Sequence, residues 1–466
     1  MNPNIAANQQ RLFLEFLAQL RPHFGRDSAL PRRITDLLNR NRALGSRDRK
    51  LYRELVYTTL RFLPWVDRLL DTDVATAAKI IAWLAPELKP TSLYRSAHGG
   101  DWPAVPDSLA DKAALLTTLV AEANPTGRVN PPGESRAECG EGNSIRTAAH
   151  PAGSPYPFNP ESLLPAWFRE HCPAAFTEPH LSALNSRASI WVRLQVNDRS
   201  LVLNEFAAQH WPVESPTDFP DALCLPPNAD VAGTDAYRRG FIEIQDLGSQ
   251  LVLAHADIAP GAHWLDACAG AGGKTLQLAR LVGDAGHVDA TDIRPDVLEE
   301  LRDRAARARL TNIAIGQTPT GLYDGVLVDA PCSGSGTWRR QPHLKWYLQP
   351  ETIPSFNRTQ LAILAANAPL VRPGGELIYA TCSLSRFENH DLVATFLATH
   401  PQFSAMKPTR DHGGDLSAAG GHPNSKKDCP QQTAGGGFPF DGLGTMLLPG
   451  TLNTDGFYVA VLRRDE

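Results

Sequence analysis

The chain has 466 residues, of which 42% are hydrophobic and 20% are charged, and its formal net charge is -5 at pH 7. This length predicts two or three domains, and the hydrophobic content excludes a disordered chain. The mild negative charge excludes a uniformly basic protein, so any contact with nucleic acid has to come from local basic patches.

The start of the chain, residues 1–10, is polar and lacks the apolar stretch of a signal peptide. No run of about 18 apolar residues occurs that could span a membrane. The seven cysteines are scattered without a CxxC pair, which argues against a zinc site and indicates free thiols in a reducing compartment. We therefore expect a cytoplasmic protein with no membrane segment and no bound metal, and we expect it to be a monomer.

The first predicted domain, residues 1–123, is helical. Apolar residues such as Leu12, Phe16 and Leu20 recur at helix spacing. Residues 11–61 carry twelve Lys or Arg against five Asp or Glu, which is a local positive excess. Such a run of charges is usually a solvated helix surface, and it is equally compatible with a docking face for nucleic acid.

The middle of the chain predicts a linker followed by a small domain. Residues 124–160 are rich in Pro, Gly, Asn and Ser, a composition typical of linkers. Residues 161–250 alternate more like strands, with Ile190, Val192 and Leu194 on one side of a predicted strand. We interpret this second region as a small α+β subdomain.

The last predicted domain, residues 251–466, alternates strands with helices. The pattern predicts helices over residues 275–282 and 295–310. The predicted strands cover residues 264–268, 286–292, 323–329, 376–381 and 457–462. This alternation is typical of a doubly wound α/β fold with a parallel sheet. Residues 411–437 are rich in Gly, Ser, Asn and Gln and predict a disordered loop.

A glycine-rich turn with the sequence DACAGAGGKT, residues 266–275, connects the first of these strands to its helix. Glycines at a helix N-terminus let backbone N–H groups approach an anion, either a carboxylate or a phosphate. A phosphate-binding P-loop would need glycine at Cys268, and the Gly-x-Gly-x-x-Gly fingerprint of dinucleotide sites is absent. Asp292, which ends the second strand, stands where an acidic side chain can bind ribose hydroxyls. An ordinary tight turn would also explain the glycines.

Two cysteines follow strands of the same predicted sheet. Cys332 follows Asp329-Ala-Pro, Cys382 follows Ala380-Thr, and each is followed by serine. The carboxyl ends of parallel strands line the ligand crevice, so both thiols are expected beside the glycine turn. A lone cysteine is usually a small buried hydrophobe, but two in this arrangement favour a reactive pair that includes a thiolate nucleophile. The residues themselves do not decide which cysteine is the nucleophile.

Five segments, in this order, resemble the bacterial ribosomal RNA cytosine-C5 methyltransferase family (Sun/RsmB-like, related to the eukaryotic NOP2/NSUN proteins). They are QDLGSQ at 245–250, DACAGAGGKT at 266–275, DAPCSGSGT at 329–337, RRQPHLKW at 339–346 and ATCS at 380–383. The helical start, with Arg47-Asp-Arg49 and ELVYTTLR at 54–61, resembles the NusB-like RNA-binding domain of one branch. The resemblance covers most of the chain outside the linker and the late loop.

The resemblance implies a Rossmann-like, S-adenosylmethionine-dependent methyltransferase domain that forms 5-methylcytosine in ribosomal RNA, and its NusB-like start favours the small subunit. It implies that Cys382 is the nucleophile that adds to carbon 6 of the cytosine, and that Cys332 assists product release. The residues that it assigns to the cofactor are Cys268, Ala269, Gly270, Ala271, Gly272, Gly273, Lys274, Asp292 and Asp329.

The sequence departs from the family at two places. Ala271 stands where the family usually has proline, and no acidic residue occurs between Asn312 and Asp324, where the family usually has one near the adenine. The second departure leaves open a non-catalytic RNA-binding or ribosome-assembly factor that retains the fold. A DNA cytosine methyltransferase would lack the helical domain. By analogy with such enzymes, Cys332, the cysteine that follows a proline, would be the nucleophile. Methylation of an exocyclic amine would need an Asn/Asp-Pro-Pro-Tyr-like segment, which Asp329-Ala-Pro-Cys332 is not.

Overall fold

The computed structural model describes residues 3–123, 158–407 and 439–466. The predicted loop at 411–437 lies outside the described residues, and so does the predicted linker except for residues 158–160. The chain forms two compact units, Met1–Glu170 with Gln341–Leu348 and His171–Arg340 with Gln349–Glu466. Among the described helices, none combines the length and the apolar character needed to cross a bilayer.

The first unit is helical throughout its described residues. Its longer helices are Pro3–Leu20, Leu30–Arg40, Ser46–Arg61, Val74–Leu84, Ser92–His98 and Leu109–Ala123. Shorter helical turns are Leu63–Val66, Leu69–Thr72 and Pro342–Tyr347. The apolar stripe of the first helix is buried, since Phe13, Leu17 and Leu20 are at most 2% exposed. The helical periodicity predicted for this region is therefore confirmed.

The segment Gln341–Leu348 packs with this helical unit although it lies within the predicted catalytic domain. Trp346 donates its indole N–H to the carbonyl of Leu60 over 2.6 Å, and Lys345 donates to the carbonyl of Arg61 over 3.1 Å. Burial lowers the pKa of Lys345 well below its usual value. Both contacts satisfy carbonyls at the end of the helix Ser46–Arg61, where the last four have no partner within the helix.

The second unit begins with a small antiparallel sheet. Its strands are β1 (Ile190–Leu194), β2 (Ala222–Leu225) and β3 (Ile242–Ile244), in the order β2-β1-β3. Helices of this region are His180–Leu184, Ser200–Ala208, Asp235–Arg238 and Leu247–Leu251. Val192, Leu194, Val202 and Phe206 belong to its apolar core, which confirms the predicted strand at 190–194, although Trp191 and Arg193 on the opposite face are buried too.

The main sheet of the second unit has eight strands. They are β4 (His263–Asp266), β5 (His287–Ala290), β6 (Ile313–Ile315), β7 (Tyr323–Asp329), β8 (Val371–Thr381), β9 (Phe403–Ala405), β10 (Thr445–Leu447) and β11 (Phe457–Arg464). The order is β10-β11-β8-β7-β4-β5-β6, and β9 pairs with the free part of β11. Strands β4 to β8 are mutually parallel, as predicted.

The expectation of a wholly parallel sheet is wrong at one edge. Strand β11 runs antiparallel to β8, and β9 and β10 run antiparallel to β11. A parallel neighbour requires a crossover connection, whereas β10 and β11 form a close antiparallel pair that adds to the sheet as a unit. The sheet is therefore mixed, with a parallel centre.

Helices cover both faces of this sheet. The helix Gly273–Val282 begins two residues before its predicted start, and the helix Pro295–Ala308 begins at its predicted start and ends two residues before its predicted end. Leu278 and Val282 pack with Trp264 in one apolar cluster. The second cluster, on Val326 and Tyr379, includes side chains from the helices Ile353–Asn367 and His390–Thr399. This double layer confirms the Rossmann-like arrangement, and its strand ends position the site.

Candidate active site

The glycine turn lies at the carboxyl end of β4. Gly270 and Gly272 have φ values of +51° and +90°, which favour glycine. A Cβ on Gly272 would lie 2.0 Å from Cδ1 of Leu301, so no larger residue fits. Gly272 is the N-cap of the helix Gly273–Val282, and that helix therefore presents its N-terminal N–H groups at the turn.

Asp292 fixes the turn from the end of the next strand. Its carboxylate accepts the backbone N–H of Gly270 over 2.9 Å and an ion pair from Arg294 over 3.0 Å. Burial alone would raise the pKa of Asp292, but hydrogen bonds from Arg294 and from Gly270 outweigh it and lower the pKa. The side chain is therefore a carboxylate at neutral pH, placed beside the glycines.

Two carboxyl groups lie below the turn. Lys274 donates to Asp329 over 2.7 Å, and Thr275 donates to Oδ2 of Asp266 over 2.7 Å. The other oxygen of Asp266, Oδ1, is buried without a hydrogen-bond partner. Burial, reinforced by the charge of Asp329, raises the pKa of Asp266 to about 7. An unpaired buried carboxyl oxygen is costly, and it marks a place where a ligand can donate a hydrogen bond.

Cys268 lies within the same turn. Burial raises the pKa of its thiol to about 12, and the carboxylates of Asp266, Asp329 and Asp292 act in the same direction. Since only the thiolate is a strong nucleophile, Cys268 is poorly placed to attack a substrate. Its position supports the predicted role as part of the cofactor turn.

The other two predicted cysteines lie side by side. Their sulfur atoms, in Cys332 and Cys382, are 3.4 Å apart. The register of β7 and β8 explains this, because Asp329 pairs with Ala380 and both strands end at the same level of the sheet. The sulfurs form no disulfide, and both side chains are partly exposed.

The thiol of Cys332 is held in its protonated form. The hydrogen bond with Cys382, together with burial and the nearby charge of Glu388, raises the pKa of Cys332 well above its usual value. A protonated Cys332 can donate its S–H to the neighbouring sulfur. Either sulfur can be the donor in this contact, and the raised pKa of Cys332 favours Cys332 in that role.

A buried carboxylate that the sequence analysis missed joins the two cysteine loops. Glu388 is fully buried; its Oε1 accepts the backbone N–H of Ser333 over 2.9 Å and the amide of Gln360 over 3.1 Å. Its Oε2 accepts the hydroxyl of Ser383 over 2.6 Å. Ser333 and Ser383 directly follow the two cysteines, so this one side chain fixes the backbone on both sides of the sulfur pair.

Three serine hydroxyls extend this connection. Ser333, Ser335 and Ser383 are buried with mutual oxygen distances of 3.1 to 3.4 Å. Ser335 also accepts the backbone N–H of Leu384 over 2.9 Å. The repeated Cys-Ser pairs in the sequence were the only available signal for this network, because its central acid comes from a separate short helical turn, Arg386–Glu388.

A cationic group lies beside Cys382. Arg340 forms an ion pair with the buried Asp455 and interacts electrostatically with Asp246 and with the Cys382 sulfur. Burial would lower the pKa of Arg340, but the two carboxylates outweigh it and the pKa is raised. Asp246 also accepts the hydroxyl of Thr454 over 2.6 Å. Asp246 of QDLGSQ and Arg340 thus interact with each other, which their separation in sequence concealed.

The structure brings together every residue predicted for the site. The residues predicted to bind the cofactor lie at the carboxyl ends of β4, β5 and β7, and the two cysteines predicted to be catalytic follow β7 and β8. This group comprises Cys268, Ala269, Gly270, Ala271, Gly272, Gly273, Lys274, Asp292, Asp329, Cys332 and Cys382. Between Asn312 and Asp324 the chain forms β6 and a turn, and no acidic side chain there reaches the site.

Residues 253–463 of the chain match the protein-family model described as 16S rRNA methyltransferase RsmB/F. The Bacillus subtilis protein named probable ribosomal RNA small subunit methyltransferase B is 29% identical over 90% of this chain and 92% of its own length. The Vibrio cholerae ribosomal RNA small subunit methyltransferase B is 31% identical over 61% of each chain. The aligned part of this chain thus spans less than two thirds of the Vibrio cholerae protein's length and nearly all of the Bacillus subtilis protein's length.

Solved structures share the fold. PH0851 superposes with a TM-score of 0.65 and 18% identity, covering 100% of this chain and 99% of that one. A methyltransferase homologue from Pyrococcus horikoshii superposes with a TM-score of 0.50 and 20% identity, covering 64% of this chain and 93% of that one. At these identities the likeness concerns the fold alone.

The mixed sheet with its parallel centre, the glycine turn and the acid after β5 form a Rossmann-like domain, and the family match over residues 253–463 identifies it as an S-adenosylmethionine-dependent methyltransferase domain. Residues 253–463 match the model of the RsmB/F family, and the resemblance predicted from the five segments is confirmed over that part of the chain.

Proposed function

We propose that this protein methylates carbon 5 of a cytosine in small-subunit ribosomal RNA through a covalent bond to Cys382. The observation that carries the proposal is the pair of sulfurs, 3.4 Å apart, after the carboxyl ends of β7 and β8, at the same edge of the sheet as the cofactor turn. A single nucleophile would suffice to form an adduct, whereas a second thiol within reach serves to resolve it. The names of the relatives support the choice of RNA.

The residues of the turn fit S-adenosylmethionine. The N–H groups at the start of the helix Gly273–Val282 suit its carboxylate, and the unpaired Oδ1 of Asp266 suits its ammonium group. Asp292, ionised beside Gly270, suits the ribose hydroxyls. When bound, the cofactor supplies an electrophilic methyl group. The chain itself orients that group and excludes water from it.

Replacing Asp292 by alanine is expected to raise the Kd for S-adenosylmethionine about 10- to 100-fold, because charge-assisted hydrogen bonds contribute about 1.5–3 kcal/mol. The variant also removes the acceptor of the Gly270 N–H, which fixes the turn. Isothermal titration calorimetry measures the effect. Asp296→Ala, which removes an exposed acid four residues away, is the matched control. Equal Kd values for both variants would remove Asp292 from the cofactor site.

Carbon 5 of cytosine is a weak nucleophile until a thiolate adds to carbon 6. In the proposed reaction the Cys382 sulfur forms a bond to carbon 6, and the ring electrons move to carbon 5, which then takes the methyl group. A water molecule takes the proton from carbon 5, the electron pair of that C–H bond reforms the ring double bond, and the bond from sulfur to carbon 6 breaks with its electron pair on sulfur. Cys332 donates its proton to the departing Cys382 sulfur, and exchange with solvent then returns a proton to Cys332 and removes one from Cys382.

Two contacts support this assignment over the reverse one. Cys332 is the thiol that its surroundings keep protonated, which suits a donor and not a nucleophile. The guanidinium of Arg340 interacts with Cys382, and a cation beside a sulfur stabilises negative charge on it. The target base in a folded RNA must already be unpaired or be extruded to reach these sulfurs.

We further propose that Glu388 is a positioning residue. Glu388→Ala is expected to lower the rate of methyl transfer about 100-fold, because displacements of about 1 Å in reacting groups cost that much. The Kd for S-adenosylmethionine should not change. Glu388→Gln is expected to regain most of the rate, since its amide oxygen still accepts the N–H of Ser333 and its amide group can donate to Ser383.

The matched control for Glu388 is Glu376, a second buried glutamate of the same unit. It lies in the middle of β8, six residues before Cys382, and accepts the backbone N–H of Asp257. Glu376→Ala should lower the melting temperature without lowering single-turnover rates at a temperature where the protein is folded. If Glu388→Ala and Glu376→Ala reduce the rate equally, Glu388 serves stability alone.

The helical first unit is proposed to be NusB-like and to dock the RNA. Its exposed basic residues include Arg32, Arg40, Arg42, Arg47 and Lys50. Exposed guanidinium and ammonium groups in this number supply phosphate contacts that do not depend on base sequence. We propose that this unit provides affinity and that the cysteine site provides the chemistry.

The experiment that tests the function is product analysis. The purified chain is incubated with S-adenosylmethionine carrying a labelled methyl group and with unmodified small-subunit ribosomal RNA, and the digested nucleosides are separated. The proposal expects the label in 5-methylcytidine. Label in another nucleoside would overturn the cytosine-C5 assignment. If the protein binds RNA but neither binds the cofactor nor transfers label, it is a non-catalytic RNA-binding factor, and the absent acid after Asn312 is the first feature to restore.

A further inference from the structure

A cluster of metal-ligand side chains lies at the amino ends of the central strands, away from the cofactor turn at their carboxyl ends. His263 begins β4 and His287 begins β5, and the parallel ladder pairs these two residues directly. Asp289 lies two residues further along β5 and therefore on the same face as His287. Three side chains from two neighbouring strands thus converge without any role in the proposed methyl transfer.

The distances within the cluster are short. Nε2 of His263 lies 3.3 Å from Oδ2 of Asp289, and Nε2 of His287 lies 3.2 Å from Oδ1. All three ligand atoms fall within 4.8 Å of one another. The contact of His263 with the carboxylate lacks hydrogen-bond geometry, so its Nε2 is a buried polar atom without a hydrogen-bond partner. An imidazole nitrogen that faces a carboxylate and a second imidazole in this way can bind a cation.

The donor set selects the class of ion. Two imidazole nitrogens and one carboxylate suit zinc and its neighbours, whereas calcium and magnesium prefer oxygen alone. A tetrahedral ion with bonds of about 2.0–2.1 Å holds its donors about 3.3 Å apart, close to both imidazole–carboxylate distances. Asp289 is held in place by the hydroxyl of Tyr323, which donates to Oδ2 over 2.6 Å. Ligating carboxylates commonly have such a supporting donor.

We propose that His263, His287 and Asp289 bind one divalent ion of the zinc class, with three protein ligands and a fourth position for water. The ion would join the starts of β4 and β5 and stabilise the fold, which is a structural role independent of the proposed function. A triad of two imidazoles around one carboxylate that binds no metal is the competing explanation.

The test uses the full chain after treatment with a chelator. Titration with Zn²⁺ in a calorimeter is expected to show one ion per chain at this site and a rise in melting temperature, as binding to the native state requires. Titration with Co²⁺ is expected to give visible absorption without a thiolate charge-transfer band, because no cysteine belongs to the cluster. Thiolate bands would place the ion on the cysteines and overturn the proposal.

Variants separate this site from adventitious binding. His263→Ala and His287→Ala should each lose the ion. Tyr323→Phe retains all three ligands and should weaken binding about 10-fold or more, since supporting donors contribute that much. His390→Ala, which breaks a similar contact of 3.3 Å with Asp391 but involves no third ligand, should bind Zn²⁺ like the wild type. If the wild type and His287→Ala bind Zn²⁺ with the same stoichiometry and affinity, or if neither binds it, the site does not exist.

Discussion

Replacing Cys382 by alanine is expected to abolish the formation of 5-methylcytidine, with a loss of roughly 10⁴-fold or more, as for the removal of other covalent nucleophiles. Without the sulfur no bond forms at carbon 6, and carbon 5 stays too weak a nucleophile to take the methyl group. The variant should still bind S-adenosylmethionine, because Cys382 directly follows β8 and does not belong to the cofactor turn. Labelled methyl transfer to ribosomal RNA, with a parallel cofactor titration, measures both.

The control for this loss is Cys172→Ala, which removes a buried thiol of the same unit that has no predicted role in the site. It should retain nearly full transfer. Substantial transfer by Cys382→Ala would show that the reaction does not pass through that sulfur. The assignment would then move to Cys332 or to a mechanism without covalent catalysis.

Replacing Cys332 by alanine is expected to trap the protein on its RNA. The variant keeps the nucleophile, but it lacks the proton donor 3.4 Å from the sulfur that must leave. Turnover should fall by about 10²- to 10⁴-fold, the usual contribution of a positioned acid or base. A denaturing gel should show a slowly migrating protein–RNA complex that nuclease digestion removes.

The opposite pair of results would exchange the roles of the two cysteines. If Cys382→Ala accumulates the protein–RNA complex and Cys332→Ala is inert, the reaction is retained, Cys332 is the nucleophile and Cys382 assists product release. That result would also contradict the argument from the environment of Cys332, whose raised pKa makes it the proton donor. Cys332→Ser is a useful companion, since a hydroxyl restores a donor of similar size and should release part of the trapped complex.

Much of this site was predictable because it is built from continuous segments at strand ends. The turn at 266–275 and the cysteines after β7 and β8 could be placed at one rim, since parallel strands share their carboxyl edge. The supporting groups were not predictable in the same way. Glu388 contacts Ser333 across 55 residues, and Arg340 pairs with Asp455 across more than a hundred. Such contacts depend on packing that no spacing pattern records.

The fold, like the site, could be predicted from the sequence only in part. The periodic helices and the central strands were predicted, whereas the three-residue strands β6, β9 and β10 are too short to give a pattern. The antiparallel direction of β11 depends on which neighbour it pairs with, and periodicity carries no information on that. The cluster at the amino ends was missed because His263 and His287 are brought together only by the register of β4 and β5.

The most direct test of the account is to identify the residue that bonds to the base. Ribosomal RNA containing 5-fluorocytidine offers carbon 6 to the nucleophile, but fluorine cannot leave carbon 5 as a proton does, so the adduct persists after methyl transfer. Protease and nuclease digestion followed by mass spectrometry then locates the modified peptide. We expect the nucleotide on Cys382, with one added methyl group. A nucleotide on Cys332, or no covalent adduct while methylation of normal RNA proceeds, would contradict the mechanism.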